Sequence, residues 1–135
     1  MEAAEQSLDA RYRQALQVGT ELQTWPGHFL FKRVETELLL EQVRISPHAI
    51  GLELGCGNGF QSALLASQFQ WLISTDLFAP DPRTHTVGLD RARALLAQCG
   101  VRNVSLLASN ADALPFPNDS FDLVFSSSVF EHVDR

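Results

Sequence analysis

Cysteine is scarce in this sequence. Cys56 and Cys99 are the only two, too few for a disulfide framework, so a reduced, cytoplasmic setting is the expectation. Long apolar runs are also missing. No stretch approaches the ~18 consecutive apolar residues that a membrane-spanning helix needs. The N-terminal stretch MEAAEQSLDARYR is polar and acidic at its start, without the basic start and apolar centre of a signal peptide. Positive charge is thin as well: 10 Lys and Arg face 16 Asp and Glu, for a net charge of −6. Nucleic acid is held through clustered Lys and Arg, and there is little clustering here beyond Lys32–Arg33, so no nucleic-acid partner is expected. Internal repeats and low-complexity tracts are absent. What remains is ordinary for a globular protein: 135 residues, 45% hydrophobic and 19% charged, enough for one domain with a core of its own.

The apolar spacing changes along the chain. Leu8, Tyr12, Ala15 and Leu16 recur at helical intervals, which predicts an amphipathic helix from roughly Ala3 to Val18. TWPGHF interrupts it with Pro26 and Gly27. Phe31, Val34, Leu38 and Ile45 predict a second helix ending before Pro47. The aromatics near the break, Trp25, Phe29 and Phe31, either line a pocket or pack the two helices onto the core; the packing role is the stronger reading. After Pro47, Ile50 to Leu54 is a short apolar run carrying one acid, Glu53, and reads as a strand buried on both faces of a parallel sheet. QSALLASQF follows as a helix, WLIST as a second strand ended by Asp76, and TVGLDRARALLAQCG as a helix stopped by Gly100. VSLLAS is a third strand, ADALPFPNDSFD a turn-rich connection, LVFSS a fourth strand, and VFEHVDR the start of a further helix. Alternating strands and helices with right-handed crossovers imply an α/β, doubly wound, Rossmann-like sheet. The expected division is an N-terminal helical cap at 1–47 and a core at 48–135.

The segment GLELGCGNGF holds four glycines in ten residues, three of them at the junction between the first strand and the following helix. In doubly wound sheets a ligand lies beyond the carboxyl ends of the strands, and backbone without Cβ atoms can approach it closely. A dinucleotide fingerprint is G-x-G-x-x-G, which would require a small residue where Phe60 stands. The pattern is instead E-x-G-x-G-x-G. A carboxylate inside the strand, two residues before the first glycine, would repel a pyrophosphate and suit a cationic ligand.

LELGCGNG, WLISTD, NADALPF and FDLVFSSSVFEHV occur in an order and spacing that resemble the class I S-adenosylmethionine-dependent methyltransferases, most closely the broad small-molecule branch called type 11. The resemblance runs from about Ile50 to Val133. It implies that S-adenosylmethionine is the cofactor and a small molecule the methyl acceptor. Gly55 and Gly57, with Cys56 as a small filler and Gly59 closing the loop, would meet the methionine part. Glu53 would face its ammonium or organise the loop beneath it. Asp76 would accept both ribose hydroxyls and Leu77 would lie on one face of adenine. Ala111, Asp112 and Ala113 would form the adenine turn, with the Asp112 side chain taking the amino group and the Ala113 N–H a ring nitrogen. Ser126 would sit beside the methionine moiety through its backbone.

Methyl transfer from a sulfonium is an in-line displacement that depends mainly on positioning. An oxygen or nitrogen acceptor can also require a base. The resemblance places Glu131 and His132 near the methyl group. His132 is the catalytic candidate, and the plainer reading, a helix-start residue that shapes the pocket, is preferred. The loop Leu77 to His85, stiffened by Pro80 and Pro82, is read either as a cover over the adenosine end or as plain surface. The family's sheet has about seven strands, and this sequence stops after the fourth, which would leave LVF as an exposed edge that invites pairing. The expectation is a truncated or minimal methyltransferase domain that associates as a homodimer through that edge. The alternative is a non-catalytic cofactor-binding or partner-stabilising module.

Overall fold

The computed structural model describes residues 7–21, 26–77 and 88–127. Its elements run α1 (Leu8–Glu21), α2 (Pro26–Gln42), β1 (Ile50–Leu54), α3 (Phe60–Leu65, continued by a 3₁₀ turn at Ala66–Gln68), β2 (Trp71–Asp76), α4 (Leu89–Gln98), β3 (Val104–Ala108) and β4 (Leu123–Ser126). Residues 78–87, with Pro80 and Pro82, and residues 128–135, with Glu131 and His132, lie outside the described residues, as does Trp25.

Helix boundaries differ from the sequence expectation in understandable ways. α1 continues to Glu21, beyond Val18, because nothing before residue 22 breaks the backbone ladder. Pro26 does not lie in the interruption; it opens α2. Proline lacks only an N–H that the first turn leaves unpaired anyway, and its fixed φ suits a helix start. α3 tightens into a 3₁₀ turn whose end is held by Asn103, whose Nδ2 donates to the carbonyls of Ala66 at 2.7 Å and Phe69 at 3.0 Å. α4 is shorter than the sequence suggests and ends before Gly100, which has φ +69°.

The four strands form one parallel sheet in the order β3-β2-β1-β4. The chain moves outward from β1 through β2 to β3, then returns to place β4 on the other side of β1. The switch point therefore lies between β1 and β4. Register puts Gly51 beside Leu72 and Leu123, and Glu53 beside Ser74 and Phe125. These residues share one face, and the helices cover it.

The core on that face has two main parts. Ala15, Val18, Phe29, Phe60, Leu64 and Leu95 join α1, α2, α3 and α4. Leu65, Phe69, Leu72 and Phe125 join the 3₁₀ turn to the sheet. Phe29 is fully buried, with its ring centroid 4.6 Å from that of Phe60, so it packs the core as the stronger reading held; Phe31 is exposed. Burying each such ring stabilises by roughly 2–3 kcal/mol. Gly51 lies directly under Phe69: a Cβ there would come within 2.5 Å of the ring, which stacks nearly parallel on Phe125 at 6.2 Å.

The opposite face carries Leu52, Ile73 and Val124 in one register row. Among the described residues no hydrophobic cluster joins a helix to it, and Val124 and Trp71 are exposed. A second apolar stripe, Leu30, Phe31, Val34 and Leu38, is exposed on α2. No described helix is long and apolar enough to cross a membrane.

Candidate functional site

The glycine loop leaves the end of β1 and is fastened to the end of β2. The N–H groups of Gly55 and Cys56 both donate to the Thr75 carbonyl, at 2.8 and 2.9 Å. The Gly57 N–H donates to Asp76 Oδ2 at 2.7 Å, and the Leu77 N–H to Asp76 Oδ1 at 2.7 Å. Each Asp76 oxygen therefore takes one backbone donor, and a carboxylate has about four acceptor directions. Two remain for a ligand diol.

Backbone shape explains the glycines. Gly57 has φ +54° and nothing within 4 Å of the position a Cβ would take, so the loop is open on that side. Gly59 has φ +80°, and a Cβ there would lie 3.0 Å from the Ala92 backbone. The first glycine leaves room for a ligand and the second lets α4 approach the loop.

Beneath the loop Glu53 is 2% exposed. Its Oε2 accepts from the Ser62 hydroxyl and from Ser74 Oγ at 2.9 Å, and the two serines lie 3.0 Å apart. Burial pushes the Glu53 carboxyl above its ordinary value, against the two serine hydrogen bonds and the Lys32 charge, which pull the other way. Its described partners are α3 and β2, so it braces the floor of the loop. Cys56 is buried, and its thiol is pushed far up by burial first and then by the charges of Glu53 and Asp76. A thiol held protonated is not a nucleophile.

The remaining candidates lie along the carboxyl edge of the sheet. Asp76 pairs with Ala108, and the Ser109 N–H donates to the Asp76 carbonyl at 2.9 Å. The turn at Ala111, Asp112 and Ala113 thus begins next to Asp76. Asp112 and Ala113 are exposed, and the Ala113 N–H is turned to the Asn110 carbonyl at 3.3 Å. Ser126 ends β4 beside Leu54, and its Oγ donates to the Leu54 carbonyl at 3.3 Å.

Profile comparison matches residues 52–135 to a family described as a methyltransferase domain. The chain belongs to the class I S-adenosylmethionine-dependent methyltransferases. The cofactor of that family is S-adenosylmethionine. Among curated relatives of this methyltransferase chain, the malonyl-[acyl-carrier protein] O-methyltransferase of Legionella pneumophila is 32% identical over 108 residues, 76% of this chain and 31% of that protein. The trans-aconitate 2-methyltransferase of Deinococcus radiodurans is 31% identical over 85 residues, 63% of this chain and 28% of that protein. The chain spans about a third of the length of these relatives. Among solved structures, the YcgJ protein of Bacillus subtilis superposes with a TM-score of 0.58 at 24% identity, covering 67% of this chain and 36% of that one. Phosphoethanolamine N-methyltransferase 1 of Haemonchus contortus superposes with a TM-score of 0.59 at 16% identity, covering 90% of this chain and 26% of that one. These two establish the shared fold.

The residues present fit the methyltransferase cofactor. The loop is bare where a ligand must come close, and Asp76 keeps acceptor capacity at the place where a ribose diol would arrive.

Sequence reasoning missed a second polar group at the same edge. Lys32 on α2 donates from Nζ to Glu35 Oε2 at 2.9 Å and to Ser127 Oγ at 2.6 Å, and the Ser127 hydroxyl donates to Glu35. Burial works to raise the Glu35 pKa, but the hydrogen bonds from Ser127 and Lys32 outweigh it and hold the carboxyl below its ordinary value. His28, one turn earlier, is held below its usual range by burial and then by Lys32; a hydrogen bond with the Asn58 side chain opposes this. The one sequence signal for this group was the Lys32–Arg33 pair, which composition alone presents as plain surface charge.

Proposed function

We propose that this chain is the cofactor-binding part of a methyltransferase that transfers the methyl group of S-adenosylmethionine to a small molecule in the cytoplasm, with no nucleic acid as acceptor. The observation that carries this reading is the double fastening of Asp76 to Gly57 and Leu77. It couples the glycine loop to the carboxylate that this reading assigns to the ribose.

When bound, the sulfonium supplies an electrophilic methyl group and a leaving thioether that departs neutral. The chain's own residues do the rest. Gly55 and Gly57 admit the methionine end to the backbone, with Cys56 filling the loop and Gly59 seating it on α4. Glu53 braces the loop from below. Asp76 accepts from the two ribose hydroxyls, Leu77 lies against adenine, and the Ala111–Asp112–Ala113 turn meets the adenine edge. Ser126 flanks the methionine moiety, and His132 shapes the acceptor side. Holding the acceptor in line supplies most of the rate.

Two of the relatives act, by name, on malonyl and trans-aconitate groups, and an organic acid suits this chain too. A carboxylate oxygen is already anionic and takes a methyl group without a base. The 1–47 segment serves as a helical cap over the 48–135 core, and β4, the edge strand among the described residues, pairs with a second copy. A non-catalytic binding module is the second reading, favoured by the exposure of Val124 and Trp71.

Calorimetric titration with S-adenosylhomocysteine, followed by turnover assays with small organic acids, tests both readings. Micromolar binding together with release of S-adenosylhomocysteine from S-adenosylmethionine is expected for the enzyme. Binding without turnover selects the module, and no binding refutes the cofactor reading.

A further inference from the structure

The Lys32 ammonium reaches the switch point of the sheet. It donates to Ser127, the residue that follows β4, and Ser126 just before it is tied to the last carbonyl of β1. Ligands of doubly wound sheets lie in the crevice between the two strands where the chain reverses direction. Here that crevice is β1/β4, and the ammonium bonded to Ser127 just past β4 belongs to the single lysine of a chain with net charge −6.

Three features separate this lysine from an ordinary surface ion pair. Its side chain is 14% exposed, less than its partner Glu35 at 36%. An ammonium has three donors, and the two described bonds, to Glu35 and Ser127, leave the third without a described partner. Its field also reaches Glu53 under the glycine loop and His28 on its own helix. An i,i+3 pair with Glu35 needs none of this.

We infer that Lys32 forms a carboxylate seat at the β1/β4 crevice, its third ammonium donor binding the carboxylate while Ser127 and Glu35 position the ammonium. Two carboxylates could occupy it: the α-carboxylate at the methionine end of the cofactor, or that of an organic acid acceptor. The inference rests on the methyltransferase reading for its ligands, but the seat itself is defined by anion chemistry. Glu35 holds the ammonium in place when the seat is empty and shares it when the seat is filled.

Because Lys32 is the only lysine, amine-directed labelling reports on it directly. The chain is treated with a limiting acylating reagent alone, with S-adenosylhomocysteine, with 5′-methylthioadenosine and with trans-aconitate, and Lys32 is read by peptide mass. Affinities of the same three probes are then measured for the native chain and for Lys32→Met and Lys32→Arg. If the cofactor's carboxylate fills the seat, S-adenosylhomocysteine protects Lys32 and loses roughly 10- to 100-fold in affinity in Lys32→Met. In that case 5′-methylthioadenosine, the same nucleoside thioether without the carboxylate, is unaffected. If the acceptor fills it, trans-aconitate protects Lys32 and its binding is lost in Lys32→Met, while S-adenosylhomocysteine binds unchanged. Lys32→Arg keeps part of the binding in either case. Protection by trans-aconitate in a chain that binds neither nucleoside supports the seat and removes the cofactor reading. No protection by any probe at saturation overturns the seat, and it does so even if both nucleosides bind and the methyltransferase reading stands.

Discussion

The Gly57 N–H and the Asp76 carboxylate are joined at 2.7 Å across the ends of two neighbouring strands. In the proposed binding mode one side chain would therefore hold both the ligand's sugar and the loop that meets its amino-acid end. Asp76→Ala removes the acceptor of a ribose diol and also leaves the Gly57 and Leu77 N–H groups without partners. Affinity for S-adenosylhomocysteine should drop at least ~10-fold and stability by about 1–3 kcal/mol, read by calorimetry and urea melts. Unchanged affinity would falsify the assignment of Asp76 to the ribose.

The two glycines on either side of Asn58 should separate binding from folding. Gly57→Ala meets open space and costs only the positive φ, about 1–2 kcal/mol. Its methyl group, however, enters the ligand's side of the loop, so cofactor affinity should suffer more than stability. Gly59→Ala drives a methyl group into the Ala92 backbone and should add about 1–3 kcal/mol of overpacking to its strain. Melting temperatures and dissociation constants measured on both variants check the contrast; equal effects on both quantities would remove it.

Glu53 gives the fold a pH signature. Its carboxyl is raised above the ordinary value chiefly by burial, so the folded chain holds that proton more tightly than the unfolded one. The resulting contribution is complete below the ordinary carboxylate range and is lost as pH rises through the raised value. Native protein should therefore melt at a lower temperature at pH 8 than at pH 5 by a margin that Glu53→Gln narrows. Parallel melting curves for the two proteins across that range would contradict the argument.

Phe29 tests whether the N-terminal helices belong to the core. It is fully buried against Phe60, and Phe29→Ala should cost about 3–5 kcal/mol. If urea unfolding shows a loss under about 1 kcal/mol, α2 is only loosely docked.

Among the described residues β4 is an edge strand, and that edge is proposed to pair with a second copy. Val124 is 51% exposed there, and Val124→Lys places a charge that such edges use to block pairing. Light scattering should show a dimer for the native chain and a monomer for the variant; a native monomer at all concentrations removes the proposal.

The strands were readable in the sequence because each is a short apolar run ended by a turn residue or a carboxylate, as with Leu54 before Gly55 and Thr75 before Asp76. Helix ends were less readable. Pro26 carries the same local signal whether it breaks a helix or starts one, and only the packing of Phe29 decides. The Asp76–Gly57 bond and the Ser62 and Ser74 contacts of Glu53 join residues far apart in the chain, so no local pattern shows them. The Lys32–Ser127 contact is hidden for the same reason: one partner reads as a surface charge on a helix, the other as the end of a strand.

Gly51 beneath the Phe69 ring has a consequence for the height of the glycine loop. A slip of β1 by two residues in either direction would bring Ala49 or Glu53 under that aromatic plate, and neither side chain fits where only hydrogen is tolerated. The ring thus acts as a mechanical stop for the strand, and the elevation of the ligand cradle above the sheet is gauged from below, by a residue that never meets the ligand.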